Sequence, residues 1–140
     1  MKRPFSIITL FCEDIREEKS GQDTLVGILP DNLVVAAIPG RLPKLGIYVR
    51  IHLEREDNPI TMKIRVTIPQ GNPVEMNLDD VLRAAKQYAE KEGLPFAGIV
   101  AKGLISPVPI QATGKIEAIA EIDGMEYICG ILTITQAAAS

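Results

Sequence analysis

Leu45-Gly46-Ile47-Tyr48-Val49-Arg50-Ile51-His52-Leu53-Glu54, followed by Arg55-Glu56-Asp57-Asn58-Pro59-Ile60-Thr61 and then Met62-Lys63-Ile64-Arg65-Val66-Thr67-Ile68, is the stretch that decides the fold class. On either side of a polar cluster rich in turn formers, apolar and polar residues alternate with period 2. That is the pattern of a strand with one face buried. Placing a turn at Glu56-Asp57-Asn58-Pro59 and pairing Arg55 with Ile60 makes Leu53–Met62, Ile51–Ile64, Val49–Val66 and Ile47–Ile68 the inward partners. The outward partners are then Glu54–Thr61, His52–Lys63, Arg50–Arg65 and Tyr48–Thr67. A one-residue slip would turn the whole apolar set to solvent, so this register predicts an antiparallel hairpin over 45–68.

Working outward, β-branched runs bounded by Pro, Gly, Asn and Asp predict further strands near 4–12, 24–29, 33–38, 97–105, 114–122 and 125–135. Asp123-Gly124 suits a type I′ turn, because glycine accepts positive φ. Pairing Ile122 with Met125 sets Ala120 against Tyr127, Ala118 against Cys129 and Ile116 against Ile131 on one face. The other face carries Glu121–Glu126, Ile119–Ile128 and Glu117–Gly130. That second face is neither cleanly polar nor cleanly apolar, which predicts a cover from the helix or from another subunit.

One segment reads as a helix, 78–92. Asn77 is placed to cap it, with Asp80 three residues on, and Asp79 and Asp80 complement the positive end of the helix dipole. Leu78, Val81, Leu82, Ala85, Tyr88 and Ala89 form its apolar stripe, and Gly93 and Pro95 end it. The expected architecture is a single domain over 1–140. It is mainly β, an antiparallel β-sandwich of immunoglobulin-like or C2-like type, with 7–9 strands and one amphipathic helix near 78–92.

The composition agrees with a core of this kind. The chain has 140 residues, 46% apolar, with 15 basic and 18 acidic side chains and a formal charge of −3. Such a balance gives no global field for nucleic acid or an acidic membrane, so neither is expected as a partner. The opening Met1-Lys2-Arg3-Pro4 and the apolar run to Cys12 resemble a leader, but Glu13-Asp14 interrupt the run and no small-residue cleavage site follows. A cytoplasmic location is the expectation. Cys12 and Cys129 then read as reduced packing residues, and a disulfide between them requires their strands to be neighbours.

Catalytic signatures are missing: there is no P-loop, no GxGxxG and no GxSxG, and His52, the sole histidine, falls mid-strand. No catalytic residue, metal ligand set or cofactor is expected. The binding candidates are charges. The predicted hairpin puts Arg50, His52, Lys63 and Arg65 on one small face, which requires negative charge nearby. Carboxylates of a neighbouring strand would supply it, as would an anionic ligand or a partner surface; Glu117, Glu121 and Glu126 form a matching acidic face for a second copy. The loop Glu13-Asp14-Ile15-Arg16-Glu17-Glu18-Lys19 is the other concentration, with Glu13, Asp14 and Arg16 as site candidates. Calcium binding there, or at Glu54, Glu56, Asp57 and Asn58, lacks the alternating ligand pattern of a dedicated loop, and local ion pairing is the simpler account.

The string Phe11-Cys12-Glu13-Asp14-Ile15-Arg16, with Glu18, Gly21 and Thr24-Leu25-Val26-Gly27-Ile28, resembles the opening of a family of small bacterial and phage-associated proteins of unknown function. Leu42-Pro43-Lys44-Leu45 adds to the likeness. The resemblance implies a compact β-rich domain and no substrate. In physical terms the motif suits structure: Ile15 folds back into the core, Arg16 pairs with Asp14 or Glu18, and Gly21 permits a turn. The expected role is a non-enzymatic binding or assembly module acting through charged sheet faces, with itself or another protein as partner. The alternatives are a metal-assisted or hydrolase-like enzyme using the Glu13/Asp14/Arg16 loop and a calcium-dependent C2-like module.

Overall fold

The computed structural model describes residues 5–138; Met1 to Pro4, on which the leader argument partly rests, lie outside them. The strands are β1 (Phe5–Glu17), β2 (Asp23–Ile28), β3 (Asn32–Val35), β4 (Gly40–Leu42), β5 (Leu45–Glu54), β6 (Met62–Thr67) and β7 (Val74–Asn77). After helix α1 (Asp79–Lys91) come β8 (Phe96–Ile105), β9 (Val108–Ile110), β10 (Gly114–Ile122) and β11 (Met125–Gln136). They form a four-stranded sheet in the order β2-β1-β5-β8, a five-stranded sheet in the order β3-β11-β10-β6-β7, and a small β4-β9 ribbon. The fold is a mainly β sandwich with one helix. The ladders are antiparallel except β3 on β11, which is parallel.

The 45–68 stretch is not a hairpin. β5 pairs with β1 and β8 in the four-stranded sheet, whereas β6 pairs with β10 and β7 in the five-stranded one. The face assignment nevertheless stands: Ile47, Val49, Ile51, Leu53, Met62, Ile64, Val66 and Ile68 are all buried. They meet across the interior of the sandwich rather than side by side in one sheet. Residues 55–61 lie between the two strands, and such a connection exceeds the usual two to five residues of a hairpin. It is long enough to cross the roughly 10 Å between packed sheets.

The second hairpin forms as expected near its turn, where Asp123 and Gly124 take φ of 51° and 81°. Ile122↔Met125, Glu121↔Glu126, Ala120↔Tyr127 and Ile119↔Ile128 are paired, and then the register shifts, so that Ala118 faces Gly130 and Ile116 faces Leu132. A bulge at Cys129 reverses the inward parity of β11, which is why its apolar residues had no single face in the sequence. Past the bulge Leu132 and Ile134 are buried, while Ile128 and Ile131 face outward. A Cβ on Gly130 would lie 2.6 Å from Thr9 Cγ2, so β11 approaches β1 closely there. Thr9 points into the same layer, and its Oγ1 is buried with no hydrogen-bond partner among the described residues.

The helix leaves the edge of one sheet at β7 and enters the edge of the other at β8, packing mainly on β8 and also on β6. Leu78, Leu82 and Ala89 are buried, but Val81 and Tyr88 stay exposed, so the buried stripe is narrower than the periodicity predicts. Asn77 Oδ1 accepts the Asp79 N–H at 2.9 Å, and the Asp79 carboxylate in turn accepts the Met62 N–H at 2.8 Å. Asp80 pairs with Arg83 instead of closing a capping box. Gly93, with φ of 64°, ends the helix. On the same side of the molecule Asp123 Oδ1 accepts the N–H groups of Ile60 and Thr61 at 2.8 and 3.0 Å, tying the β10–β11 turn to the 55–61 loop.

Two predictions follow from these contacts. Gly130→Ala should lower the unfolding free energy by about 1–3 kcal/mol through overpacking, whereas Thr9→Val, which removes an unpaired buried hydroxyl, should be neutral or raise it by about 1 kcal/mol; urea titrations of both variants measure this. The bonds from Thr61 and Ile60 hold the Asp123 carboxyl below its ordinary value of 3.8. Its contribution is therefore complete above that value and is lost as pH falls below it. Asp123→Ala should cost about 1–2 kcal/mol at pH 7, a difference from wild type that shrinks on acidification below about pH 4.

Candidate functional site

The segment that carries the family-like motif has an unexpected path. Antiparallel partners share a face, so Cys12, opposite Gly46, belongs to the outer face of the four-stranded sheet. Cys12 is nevertheless fully buried. Its cover is the continuation of its own strand: β1 leaves β5 after Cys12, pairs with β2 alone, and folds back over the sheet. Ile15 does not enter the core as expected but comes down on Gly46 on the outer face, where a Cβ would lie 3.1 Å from Ile15 Cγ1 and 2.7 Å from Cys12 Sγ. At the tip of the hairpin Glu17 and Asp23 both reach Lys102 on β8, two strands from β1. The β1–β2 hairpin is thus a strap across β5.

Each motif residue has a place in it. Phe11 enters the core. Asp14 Oδ1 accepts the Ile15 N–H at 3.0 Å and takes Lys44 Nζ at 3.3 Å, and Arg16 lies 3.9 Å from the same carboxylate. Glu13 occupies the space beside Gly27, which has φ of 65° and no room for a Cβ. Glu18 Oε1 accepts the Thr24 hydroxyl at 2.9 Å, and Gly21, with φ of 88°, makes the turn. Burial pushes the Cys12 thiol up from its ordinary value, while Asp23 first, then Glu17, hold Lys102 charged beyond the usual lysine range. Lys102, Glu17 and Asp23 were not among the sequence candidates. The available signal was a lone lysine in the otherwise uncharged strand Phe96–Ile105.

The seven sequence candidates fall in three places. Glu13, Asp14 and Arg16 belong to the strap. Lys63 and Arg65 lie on the outer face of the five-stranded sheet, where Lys63 meets Glu121 at 3.4 Å and Arg65 meets Glu126 at 2.9 Å, with Glu75 and Glu121 close by. The negative charge those bases require is therefore supplied by neighbouring strands. Arg50 and His52 lie on the opposite outer face, beside Ile8 and Val100 and beside Ser6 and Gly98. The expected Arg50–Arg65 and His52–Lys63 contacts do not exist, because their strands belong to different sheets. Cys12 and Cys129 are likewise in different sheets, and neither is disulfide-bonded.

Two adjoining clefts flank the helix. The larger, about 510 Å³, has an apolar floor that includes Leu53, Ala89 and Phe96 and a mixed rim of Arg55, Asp57, Lys86 and Glu90. The smaller, about 370 Å³, opens between Ile60 and the helix at Leu82 and Gln87. Between them Lys86 Nζ bonds the Asn58 side chain and the Pro59 carbonyl. Neither is lined by Glu13, Asp14 or Arg16. Among the described residues no group of three or more His, Cys, Asp or Glu is positioned to hold a metal ion, and no helix is long and apolar enough to cross a membrane.

Residues 7–129 match a family of unknown function, DUF6941. The chain belongs to this family. The DUF6941 match begins within β1, includes the whole strap and both ends of its Lys102 clasp, and ends at the Cys129 bulge. No curated protein matches the chain. The DUF6941 assignment brings a fold-sized unit and no activity, so function has to be sought in this chain's own surfaces.

The strap geometry is tested by two glycines on one face. Gly46→Ala forces Cys12 or Ile15 to move and should cost about 1–3 kcal/mol, whereas Gly98, whose nearest neighbour to an added Cβ is 4.0 Å away, should accept alanine without loss. Urea unfolding of the two variants checks the contrast.

Proposed function

We propose that the chain is a non-enzymatic assembly module whose two outer sheet faces stack on each other between copies. The observation that carries this is a pair of unmatched charges. Arg50 is exposed at the centre of one face, between Ile8, which is 52% exposed, and Val100, 38% exposed. It makes no ion pair among the described residues. Glu117 is half-buried on the other face, opposite Ile131 and next to Ile119 and Ile128, and also makes no ion pair there, although Lys115 is close along its strand.

The first face thus offers exposed β-branched residues around Arg50 and the second around Glu117, and these two charges are opposite. Exposed apolar patches with polar rims mark association surfaces, and complementary charge fixes which surfaces meet. Lys63 and Arg65 stay with their own glutamates and frame the second face without acting as the anion receptor. Contact between unlike faces is heterologous, so it propagates as a ring or an open stack rather than closing as a two-fold dimer. The cytoplasmic location and the bacterial or phage-associated setting belong to this reading through the sequence pattern and the family resemblance alone.

Sedimentation velocity over a concentration series tests it. Wild type should form concentration-dependent multimers; Arg50→Glu and Glu117→Arg should each weaken association at least about tenfold, equivalent to about 1.4 kcal/mol. The double variant, with both charges exchanged, should recover most of the loss. A chain that remains monomeric up to about 1 mM, or single variants that associate like wild type, would refute the reading.

A further inference from the structure

We infer that the β1–β2 strap opens as a unit from the four-stranded sheet, with Lys102 as its latch, and that opening uncovers Cys12 and Gly46, in the row of the already exposed Leu104, as an extension of the face around Arg50. Three observations carry this. First, between Glu13 and Ile28 no residue is buried, so the strap contributes no side chain to the core. Second, β2 pairs with β1 alone, and its ladder ends at Cys12↔Ile28. The hydrogen bonds of the strap are therefore its own, and lifting it breaks no ladder of the sandwich.

Third, what holds the strap down is local and largely electrostatic. Lys102 binds Glu17 at 3.1 Å and Asp23, Lys44 binds Asp14 at 3.3 Å, and Ile15 rests on Gly46. Segments with few buried apolar contacts open at free energies well below global unfolding. The latch is asymmetric in a way that suits opening. Lys102 is the one charged residue of β8, so on that strand opening breaks only its two ion pairs, and the neighbouring outward residues there, Val100 and Leu104, are apolar. Cys12 beneath the strap is the reporter: it is inaccessible when the strap is closed and open to alkylation when it lifts.

The consequence for assembly rests on the stacking reading above; the opening itself does not. With the strap closed, the accessible part of this face is the rows of Leu10–Tyr48 and Ile8–Arg50–Val100 together with Leu104, while Cys12 and Gly46 are covered. With the strap lifted Cys12 and Gly46 join it. High salt screens exposed and half-exposed ion pairs, so ionic strength should open the latch.

The experiment uses the full chain with Cys129→Ser, diluted until it sediments as a monomer, and follows alkylation of Cys12 by N-ethylmaleimide using mass spectrometry. Lys102→Met should raise the rate about tenfold, from the loss of two partly exposed ion pairs, and 1 M salt should raise it more in the parent than in the variant, which keeps only the Lys44–Asp14 pair. The rate should be nearly independent of urea below the unfolding transition, as expected of a local opening that exposes little surface. Glu17→Gln combined with Asp23→Asn provides the same test without altering the sheet. Alkylation that follows global unfolding with its full urea dependence, or that is unchanged by both sets of latch variants, overturns the inference. Sedimentation of the same proteins reads stacking separately, so failure of one proposal does not imply failure of the other.

Discussion

The interior of this molecule depends on one constraint: β5 and β6 each carry an apolar face of period 2, and the two faces must bury each other. Ile47, Val49, Ile51 and Leu53 meet Met62, Ile64, Val66 and Ile68 across a single layer. The strand directions, the long 55–61 crossing and the division into two sheets follow from that opposition. β5 becomes the centre of one sheet, flanked by β1 and β8, and β6 a member of the other, flanked by β10 and β7. The flanking strands β8, β10 and β11 extend the same core, and the helix and the β4–β9 ribbon add to it through Leu82 and Val108.

The same constraint explains the strap. Once β1 has contributed Phe11 inward, its continuation has no further edge of β5 to pair with and no inward position left. It bends over the outer face instead, and its remaining polar residues become fasteners. Asp14 with Lys44 and Glu17 with Lys102 replace the hydrogen-bond ladder that the strand leaves behind. A string that looks chemically rich, Glu13-Asp14-Ile15-Arg16-Glu17-Glu18, is in this setting a set of structural contacts. The glycines follow the same logic: Gly46 allows Ile15 to come down on the sheet, and Gly27 leaves room for Glu13.

How much of this was legible in the sequence depended on whether the signal was local. The inward residues of the 45–68 stretch, the Asp123-Gly124 turn and the helix were legible because periodicity and turn chemistry act within a few residues. Which strand lies beside which was not, since an arch between sheets and a hairpin within one show the same alternation. The length of the 55–61 connection was the discriminating feature. The bulge at Cys129 was hidden because the residues on either side are apolar in both parities. For the candidate sites, the acidic partners of Lys63 and Arg65 followed from the need to neutralise them, but their separation from Arg50 and His52 required the sheet assignment. The Lys102 latch joins residues distant in the chain and left only the lone charge in β8 as a clue.

Separating the basic residues also gives the near balance of 15 bases and 18 acids a definite form. Lys63 and Arg65 are matched within their own sheet, and the unmatched pair at the centres of the faces is Arg50 and Glu117. Cysteine trapping between copies tests this complementarity most directly. With Cys12 and Cys129 replaced by alanine, one chain would carry Ile8→Cys beside Arg50 and another Ile131→Cys opposite Glu117. Mild oxidation of the mixture should yield the mixed disulfide dimer far above either homodimer. Equal yields of all three, or a predominance of either homodimer, would contradict stacking of unlike faces.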